Sequence, residues 1–309
     1  MKNIEIIGYG TYLPNNKVEF GNQTRYRVND EESQIDMNVK ACKKALEVAK
    51  LNISDIDLII SASAVMAQLL PATSSLIHER IAKGLAIPAM DINTSCSSFL
   101  TALDIASHYI ELNTYKNILI VSGDTCSKGL NKNQKESYEL FSDGSAAVII
   151  TKGNNNKGIV DSMQRTYSEG THLTEIRGGG TLLPAYKYSE KILEEYLFDM
   201  KGKEVLLTTA RIVPTFLNDL LSRNNLSIDD IDLIIPHQAS KALGMIMDRF
   251  NIPKNKYIDW VNQYGNMVSA SIPFVLCKLL ENGELKDKHT ILLFGTAAGL
   301  TINGILLRI

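Results

Sequence analysis

The sequence lacks the features that mark several large classes of protein. Lys and Arg number 32 and Asp and Glu 34, so there is no basic excess of the kind that general nucleic-acid binders carry. No low-complexity segment is present, and 45% hydrophobic with 21% charged residues excludes disorder for the bulk of the chain. The most apolar stretch, residues 58–72, is interrupted by serine, glutamine and proline and cannot span a bilayer. We therefore expect neither a nucleic-acid nor a membrane partner.

Cysteine is scarce in these 309 residues. None of the four cysteines lies in a CxxC pair, which argues against a zinc site or a redox dithiol. The N-terminal segment MKNIEIIGYGTYLP has one lysine and a short apolar run without a small-residue cleavage site, so no secretory signal is predicted. These observations predict a cytoplasmic protein whose cysteines are separate thiols. The four are Cys42, Cys96, Cys126 and Cys277.

What the chain does contain is an internal repeat. Residues 51–60, LNISDIDLII, and residues 226–235, LSIDDIDLII, are identical at eight of ten positions. A second pair follows at nearly the same spacing: residues 117–124, NILIVSGD, and residues 290–297, TILLFGTA, both have the character of a buried strand that ends in small residues. Two matching blocks in register indicate a duplication.

Helical stretches alternate with these strands, which predicts an α/β architecture with mostly buried strands. We expect two pseudo-symmetric halves, residues 1–155 and 156–309, divided at the polar turn TKGNNNKG. Sites tend to form where the strand ends of two such halves converge. The helical stretches lie at 39–50, 97–112, 210–224 and 269–283.

Cys96 stands at a predicted strand-to-helix turn in DINTSCSSFLTALDIA, among threonine and serine residues that commonly cap helices. Unpaired amide groups and the helix dipole at such a position favour a thiolate, so we expect a lowered pKa for the Cys96 thiol. The alternative is that Cys96 is a small buried hydrophobic residue. That second interpretation is the one we adopt for the other three cysteines.

Two polar residues of the second half are candidates for the same site. His237, in DLIIPHQAS, follows the repeated strand where the first half has SAS, and a strand end is a usual place for a catalytic residue in an α/β fold. Asn266, in QYGNMVSAS, stands at a tight turn and could equally be an ordinary turn asparagine. The segment FGTAAGLT (294–301) is a strand followed by a turn that can aim a backbone N–H at a carbonyl oxygen.

With these motifs the sequence resembles, over essentially its whole length, the β-ketoacyl-acyl-carrier-protein synthase III family of thiolase-fold condensing enzymes. The resemblance rests on the turn around Cys96, FSDGSAAVII, IIPHQA, YGN followed by SASIP, and the last small-residue turn. It implies a layered αβαβα thiolase-like fold and a catalytic triad of Cys96, His237 and Asn266. It also implies an oxyanion hole from the backbone N–H groups of Cys96 and Ala298, a homodimer, and no metal or redox cofactor.

The implied reaction is a decarboxylating Claisen condensation. An acyl-CoA or acyl-carrier-protein thioester would acylate Cys96, and the two backbone amides would stabilise the tetrahedral oxyanion. A malonyl thioester, expected to be malonyl-acyl-carrier protein, would lose CO₂ while His237 and Asn266 donate to the enolate oxygen. The carbanion would then attack acyl-Cys96 and give a β-ketoacyl thioester for fatty-acid or specialised-metabolite biosynthesis.

Several positions depart from the family's pattern. Arg25 and Arg27 stand where the family commonly has a Trp and an Arg that hold the adenine of coenzyme A. Ser240 replaces the asparagine of PHQAN near the pantetheine path, and Lys241 is adjacent to the place of an arginine that helps to dock the carrier protein. Leu70 aligns with the bulky aromatic gate of acetyl-specific members. We expect all five to be substrate-binding residues.

The loop at 165–189 lies where the family forms its acyl-pocket lid and is unlike that of housekeeping members. We therefore expect a specialised paralogue with an acyl donor other than acetyl-CoA. Three alternatives stay open: a papain-like cysteine hydrolase, a thiolase or hydroxymethylglutaryl-CoA synthase on the same fold, and an inactive partner subunit of a heterodimer. The internal duplication opposes the first, the absence of a second cysteine in GTAAG and the presence of Asn266 the second, and the intact triad the third.

Overall fold

The structure is a computed structural model that describes residues 1–154, 156–285 and 289–309. The predicted boundary between the halves falls at Asn155, which lies outside the described residues, so the division at 155 and 156 stays a prediction. The strands are β1 (Ile4–Tyr12), β2 (Asn16–Phe20), β3 (Gln23–Arg27), β4 (Leu58–Ser61), β5 (Ala89–Asp91), β6 (Ile118–Asp124), β7 (Gly144–Lys152), β8 (Gly158–Thr166), β9 (Thr174–Glu175), β10 (Asp199–Met200), β11 (Leu233–Pro236), β12 (Thr290–Ala297) and β13 (Thr301–Arg308).

The helices alternate with these strands as the sequence predicted. Short 3-10 helices complete the connections, and those at Ile53–Asp55, Ile228–Asp230 and Val268–Ala270 matter below. The α-helices are α1 (Gln34–Ala49), α2 (Thr73–Ile81), α3 (Ser98–Glu111), α4 (Lys135–Leu140), α5 (Gly202–Ser222), α6 (Leu243–Arg249), α7 (Val261–Tyr264) and α8 (Ser271–Glu281).

Two sheets have the same strand order. The first runs β1-β7-β6-β4-β5 and the second β8-β13-β12-β11. In each sheet the fourth strand pairs with the third in parallel. In the first sheet β5 pairs with β4 in parallel as well, and all other neighbours in the two sheets are antiparallel. The counterpart of β5 in the second sheet is reduced to a single parallel bridge between Ile234 and Tyr257. The sequence repeat therefore corresponds to equivalent strands, β4 with β11 and β6 with β12.

The sheets and helices form five layers around three apolar clusters. Because side chains alternate across a strand, Leu58 and Ile60 point into the central cluster with α3 and α8, while Ile59 points outward to α1 and α2. In the second sheet Leu293 joins the same central cluster and Leu292 packs outward with α5 and α6. Both central helices are thus enclosed by two sheets, which explains why their sequences are apolar on nearly every side.

The two repeat blocks have the same length because each contains the same helix-capping arrangement. In the first half the Asn52 side chain and Asp55 form a capping box around the 3-10 turn Ile53–Asp55. In the second half Ser227 and Asp230 form the same reciprocal pair around Ile228–Asp230. Each box satisfies amide groups that would otherwise lack partners and sets the entry of the chain into the following buried strand.

Each half carries an insertion after its first strand. In the first half it is the β2–β3 hairpin, and in the second it is the irregular segment 167–201 with the β9–β10 pair. Both insertions approach the ends of the sheets from which the candidate residues emerge. Among the described residues no helix combines the length and the apolar character needed to cross a membrane.

Candidate active site

The turn that carries Cys96 joins β5 to the central helix α3. The Asn93 side chain accepts the Ser95 backbone N–H at 2.8 Å and donates to the Ala64 carbonyl at 2.9 Å, which fixes the turn against the neighbouring loop. Cys96 itself is half-buried, one residue before the helix cap Ser97. The predicted strand-to-helix placement of Cys96 is confirmed.

The expected pKa of the Cys96 thiol is wrong in direction. The pKa of the Cys96 thiol is raised to about 11, chiefly by burial; the backbone N–H of Ala298 opposes this rise, and the negative charge of Asp124 adds to it. The loss of hydration destabilises the thiolate inside an apolar cavity more than the nearby N–H groups stabilise it. With that pKa the Cys96 thiol carries its proton at neutral pH.

His237 follows β11, where its backbone N–H donates to the Phe294 carbonyl at 2.8 Å and ties it to β12. Burial lowers the pKa of His237 to about 4, so the imidazole is neutral. Its Nδ1 has no hydrogen-bond partner in the part of the chain that the structure describes. The next residue, Gln238, donates to the Pro236 and Ile258 carbonyls and holds the turn in place.

Asn266 is held by both its backbone and its side chain. Its backbone pairs with the segment before β7, through Leu140 and Ser142. Its Oδ1 accepts the Val268 backbone N–H at 2.8 Å and the Ser271 hydroxyl at 3.4 Å. Since an atom that accepts a backbone N–H must be the oxygen, the carboxamide orientation is defined and Nδ2 is the free donor.

Ala298 lies in the tight turn between β12 and β13, where Ala297 pairs with Thr301. Gly299 has φ +80°, in the left-handed region that glycine tolerates best. The Ala298 backbone N–H faces the Cys96 sulfur. A small-residue turn that aims an amide at the site is what the sequence predicted.

The turns that carry Cys96, Asn266 and Ala298 each contain a residue with a strained backbone conformation. A non-glycine residue with positive φ is uncommon, and for a β-branched residue it is a genuine outlier. Such residues persist where the surrounding structure over-determines them, most often at functional sites. Each of those that line the cavity stands within two residues of a predicted site residue: Ser95 at φ 56°, Val268 at φ 52° and Leu300 at φ 47°.

One cavity of about 580 Å³ brings these groups together. Cys96, His237, Asn266 and Ala298 all line it, and they come from both halves of the chain. Residues 170–180 of the predicted lid loop form part of its wall. The apolar side chains that line the rest include Val65, Leu130, Phe141, Phe198, Met200 and Val205.

Arg25 does not lie at a ligand-accessible position, which corrects the expectation that it binds substrate. It is 0% exposed, and its guanidinium donates to the carbonyls of Glu139 and Val261 and to the Gln23 side chain. The Arg25 side chain packs directly against Gly265, the residue before Asn266. Arg25 therefore supports the Asn266 turn through its contact with Gly265. Burial lowers the pKa of Arg25 to about 10.

Arg27 is also nearly buried. Its guanidinium lies over the rings of Tyr138, at 4.3 Å, and Phe20, at 5.3 Å, and donates to the Tyr138 carbonyl. The guanidinium is thus already in contact with two aromatic rings of the protein itself. Neither arginine is part of the cavity wall.

The remaining expected substrate-binding residues lie outside the cavity wall. The Ser240 hydroxyl accepts the Ala242 N–H at 3.1 Å, and Lys241 pairs with Glu139 at 3.3 Å. Leu70 is 84% exposed, although Gln68 and Leu69 of the same loop line the cavity. Leu70 therefore does not gate the cavity of its own chain, because its side chain points to solvent.

Sequence analysis missed Asp124, a fully buried carboxylate at the end of β6. Its signal was available in the repeat, where Asp124 of the first half aligns with Ala297 of the second. Asp124 departs from the internal symmetry just as His237 does. Among the described residues no group of three His, Cys, Asp or Glu side chains is placed to hold a metal ion.

Known proteins are similar to this chain in sequence and in fold. The family model of 3-oxoacyl-[acyl-carrier-protein] synthase III matches residues 90–168, and that of its C-terminal part matches residues 221–309. A β-ketoacyl-[acyl-carrier-protein] synthase III of Clostridium perfringens is 32% identical, with 100% of both chains covered. One from Staphylococcus aureus is 32% identical over 97% of this chain and 96% of its own.

The solved 3-oxoacyl-[acyl-carrier-protein] synthase III of Aquifex aeolicus superposes with a TM-score of 0.87 at 26% identity, covering 99% of this chain and 100% of that one. The predicted α/β thiolase-like fold and the family resemblance are both confirmed. The chain belongs to the β-ketoacyl-acyl-carrier-protein synthase III family of condensing acyltransferases.

Proposed function

We propose that this chain condenses an acyl thioester with malonyl-acyl-carrier protein, with loss of CO₂, through an acyl-Cys96 intermediate. The observation that carries the proposal is the single cavity lined by Cys96, His237, Asn266 and the Ala298 amide. A nucleophile, two donors for an enolate and an oxyanion-hole amide in one enclosed space meet the needs of each step. The enzyme would work in the cytoplasm, where the reducing environment keeps the Cys96 thiol free.

In the first step the Cys96 sulfur attacks the donor carbonyl carbon. The new Sγ–C bond forms, the C–S bond to the donor breaks, and the Cys96 proton ends on the departing sulfur. The backbone N–H groups of Cys96 and Ala298 hold the tetrahedral oxyanion, and one such donor contributes about 3 kcal/mol. Coupling proton loss to attack agrees with the raised pKa of the Cys96 thiol.

In the second step the malonyl group loses CO₂ and leaves its electron pair in an enolate. A neutral imidazole carries one N–H, and burying an unpaired N–H costs more than burying an unpaired acceptor. The partnerless Nδ1 of His237 is therefore best assigned as the bare nitrogen, which puts the hydrogen on Nε2. His237 Nε2 and Asn266 Nδ2 are then the two donors for the enolate oxygen.

In the last step the carbanion attacks the acyl-Cys96 carbonyl. The same two backbone amides hold the second oxyanion, and the C–S bond to Cys96 breaks to release a β-ketoacyl thioester. The original proton left with the donor thiol in the first step, so one proton taken up from solvent restores the neutral Cys96 thiol. No step requires a metal or a redox cofactor.

The direct test follows each half-reaction by mass spectrometry. Incubation with an acyl thioester should add one acyl group to the peptide that contains Cys96, and malonyl-acyl-carrier protein should then release CO₂ and remove it. Peptide or ester hydrolysis without CO₂ release would instead support a hydrolase. Absence of both the acyl adduct and CO₂ release would support the inactive-subunit alternative.

We infer further that the acyl donor is not acetyl-CoA and that a carrier protein delivers it. Arg25 is enclosed, and Arg27 is nearly buried with its guanidinium over Phe20 and Tyr138, so neither offers a free surface to an adenine ring. The apolar wall extends through Phe198 and the 170–180 segment, which supports an acyl group larger than acetyl. The chain length is a further question for the same assay.

Paired donors decide this point. Acyl-carrier-protein and acyl-CoA thioesters of the same acyl group should be offered together, with chains from acetyl upward, and the adduct on Cys96 identified by its mass. We expect the carrier-protein donor and a longer chain to be preferred. A strict preference for acetyl-CoA would contradict the proposal.

We also propose a homodimer. The loop after β4 exposes Val65, Met66, Leu69 and Leu70, and in the described part of the chain the neighbouring strand β5 pairs on one edge alone, with β4. An apolar patch beside an open strand edge is a place for a second copy. Pairing there would bury Leu70, which explains a bulky apolar residue at 84% exposure.

Light scattering across a concentration series tests the dimer. Leu70→Lys should raise the concentration at which half of the chains are dimers by at least about tenfold. Leu182→Lys, which changes an equally exposed leucine in a different loop, between β9 and β10, is the matched control and should leave that concentration unchanged. A wild-type chain that is monomeric at all concentrations would rule out the proposal.

A further inference from the structure

We propose that Asp124 is a positioning residue for the condensation, which holds the Asn266 turn of the second half against the cavity wall of the first. The inference rests on the proposed function, since it assigns Asn266 to the decarboxylation step. Asp124 acts through its hydrogen bonds to other residues and is not proposed to touch the substrate.

The hydrogen bonds of Asp124 join two separate segments. Its Oδ1 accepts the backbone N–H groups of Ala64 and Val65 at 3.0 and 2.9 Å, and both of these residues line the cavity. Its Oδ2 accepts the Ser269 backbone N–H at 3.1 Å and the Ser269 hydroxyl at 2.5 Å. One carboxylate thus ties the first-half wall of the cavity to the second-half turn.

The second of these attachments stands directly beside the strained point of the Asn266 turn. Val268 has φ 52°, and its N–H holds the Asn266 Oδ1 at 2.8 Å. A β-branched residue stays in this conformation only where its neighbours impose it. Asp124 binds the very next residue, Ser269, through two atoms, and the Ser122 hydroxyl lies 2.7 Å from the Ser269 hydroxyl. Releasing Ser269 would let Val268 relax and turn the Asn266 amide away.

A carboxylate at position 124 is unusual for a buried core position, and the number of donors around it explains its presence. It is fully buried, and burial raises its pKa; its partners among the described residues are backbone N–H and hydroxyl groups, with no Lys, Arg or His. A buried carboxylate without a cation is costly, and an amide or hydroxyl network could close a core at less cost. A carboxylate, however, accepts up to four donors at once with both oxygens, and four is the number that this junction presents.

The surroundings of Asp124 also supply a readout that a fold defect would not move. The ionisable groups whose pKa values respond to its charge are the thiols of Cys96 and Cys126, and Asp143 and Arg27 act on Cys126 as well. The nearby His237 of the cavity is neutral. Removing the negative charge should therefore lower the pKa of the Cys96 thiol, whereas loosening the turn alone should not.

The experiment compares Asp124→Asn and Ser269→Ala with the wild-type enzyme in both half-reactions. Acylation is measured as the acyl adduct on Cys96, and decarboxylation as CO₂ released from malonyl-acyl-carrier protein. Both variants should lower the decarboxylation rate by about tenfold or more while acylation changes by less than about threefold. Asp124→Asn alone should also shift the pH dependence of Cys96 alkylation to lower pH.

Asp143→Asn is the matched control. Asp143 is an equally buried carboxylate, and it accepts backbone N–H groups of Val28 and Ser127 in the first half, with no bond to Ser269. Its variant should lose thermal stability and yet keep the wild-type ratio of decarboxylation to acylation. A lowered ratio in Asp143→Asn would assign the effect to any buried carboxylate and overturn the proposal.

Two further outcomes would overturn it. Equal loss of both half-reactions in Asp124→Asn and Ser269→Ala would indicate a general fold defect, and unchanged decarboxylation in both would show that the junction is not needed. If Asp124→Asn does not fold, Ser269→Ala decides alone. A wild-type enzyme that neither acylates Cys96 nor releases CO₂ would instead refute the proposed function, so the two failures are distinguishable.

Discussion

The two halves of the molecule share one framework and differ where the chain leaves the strands. Each has the same strand order, the same capping box before its parallel strand and the same enclosed central helix. At the end of β4 the first half has Ala62 where the second has His237 after β11. At the end of β6 the first half has Asp124 where the second has Ala297.

This comparison shows how a symmetric scaffold supports an asymmetric reaction. Equivalent strand ends deliver side chains to the same cavity, so each position can be given one task. The first half supplies the proposed nucleophile Cys96 and the carboxylate of Asp124, which is bonded to the cavity-wall residues Ala64 and Val65. The second half supplies His237, Asn266 and the Ala298 amide. A single half would hold only one side of the chemistry, which is why the cavity needs both.

The largest effect should come from removing the nucleophile of the first half. Cys96→Ala should lower condensation by about 10⁴-fold or more, because no acyl-enzyme forms. Some malonyl decarboxylation should survive, since the second-half donors are intact. Acyl transfer followed by intact-protein mass spectrometry measures the loss, with Cys277→Ala in the equivalent central helix α8 as the control.

The Cys277→Ala protein should keep its acyl adduct, because this thiol is enclosed in the core. An adduct retained by Cys96→Ala would show that another cysteine is the nucleophile and would contradict the assignment of this role to Cys96.

The second prediction concerns the protonation of the same cysteine. Burial raises the pKa of Cys96 to about 11, so the thiolate fraction should grow about tenfold for each pH unit below that value. Alkylation of Cys96 should therefore accelerate about a thousandfold between pH 7 and pH 10 without reaching a plateau. Peptide mass spectrometry after timed exposure to iodoacetamide gives the rates.

His237→Gln provides the control for that profile. Burial lowers the pKa of His237 to about 4, so the imidazole is neutral over the whole range and its removal should leave the slope unchanged. A plateau at or below pH 8 in the wild-type protein would mean that the amides before α3 stabilise the thiolate more than burial opposes it.

The third prediction separates the second half from the first. Asn266→Ala and His237→Ala should each lower malonyl decarboxylation by about 10²- to 10³-fold, because each removes one donor to the enolate oxygen. Acylation of Cys96 should change far less, since its oxyanion hole uses backbone amides. A stopped-flow measurement of acylation beside CO₂ release tests the split, and equal losses in both steps would contradict the division of labour.

Much of this fold could be predicted because its signals are local. The repeat blocks contain their own capping boxes and the β-branched runs that form β4 and β11. The second pair of predicted segments, 117–124 and 290–297, agrees with β6 and β12 to within one residue. The motif residues were likewise predicted, and the structure brings Cys96, His237 and Asn266 to one cavity. Their catalytic roles stay predictions.

The errors concern long-range contacts, which the local sequence does not encode. Arg25 was expected at a ligand, and it is enclosed because the α7 segment closes over it from more than two hundred residues away. The dipole argument for Cys96 treated a helix end in isolation, whereas burial by the whole cavity decides the pKa. The repeat could have singled out Asp124, but its hydrogen bonds to Ser269, 145 residues distant, could not be predicted from the local sequence.

The smallest effects should distinguish how tightly each outer helix lies on its sheet. In the first half an added Cβ at Gly10 would meet the Ala41 carbonyl oxygen at 2.4 Å, and backbone cannot move aside without shifting α1. In the second half an added Cβ at Gly304 would meet only the side-chain ends of Leu220 and Phe216, at 2.9 and 3.0 Å. We expect Gly10→Ala to lower the free energy of unfolding by about 3 kcal/mol and Gly304→Ala by about 1 kcal/mol.

Urea unfolding of both variants with the wild-type protein measures the difference, provided that all three unfold in one transition. Gly304→Ala is the matched control, since it adds the same methyl group beneath α5, the helix of the opposite outer layer in the other half. The contrast has a physical basis: rotamers of Leu220 and Phe216 adapt at low cost, but a carbonyl oxygen of α1 is fixed by its own helix. Equal losses in the two variants would show that α5 packs as rigidly as α1, and the halves would then be alike in packing as well as in topology.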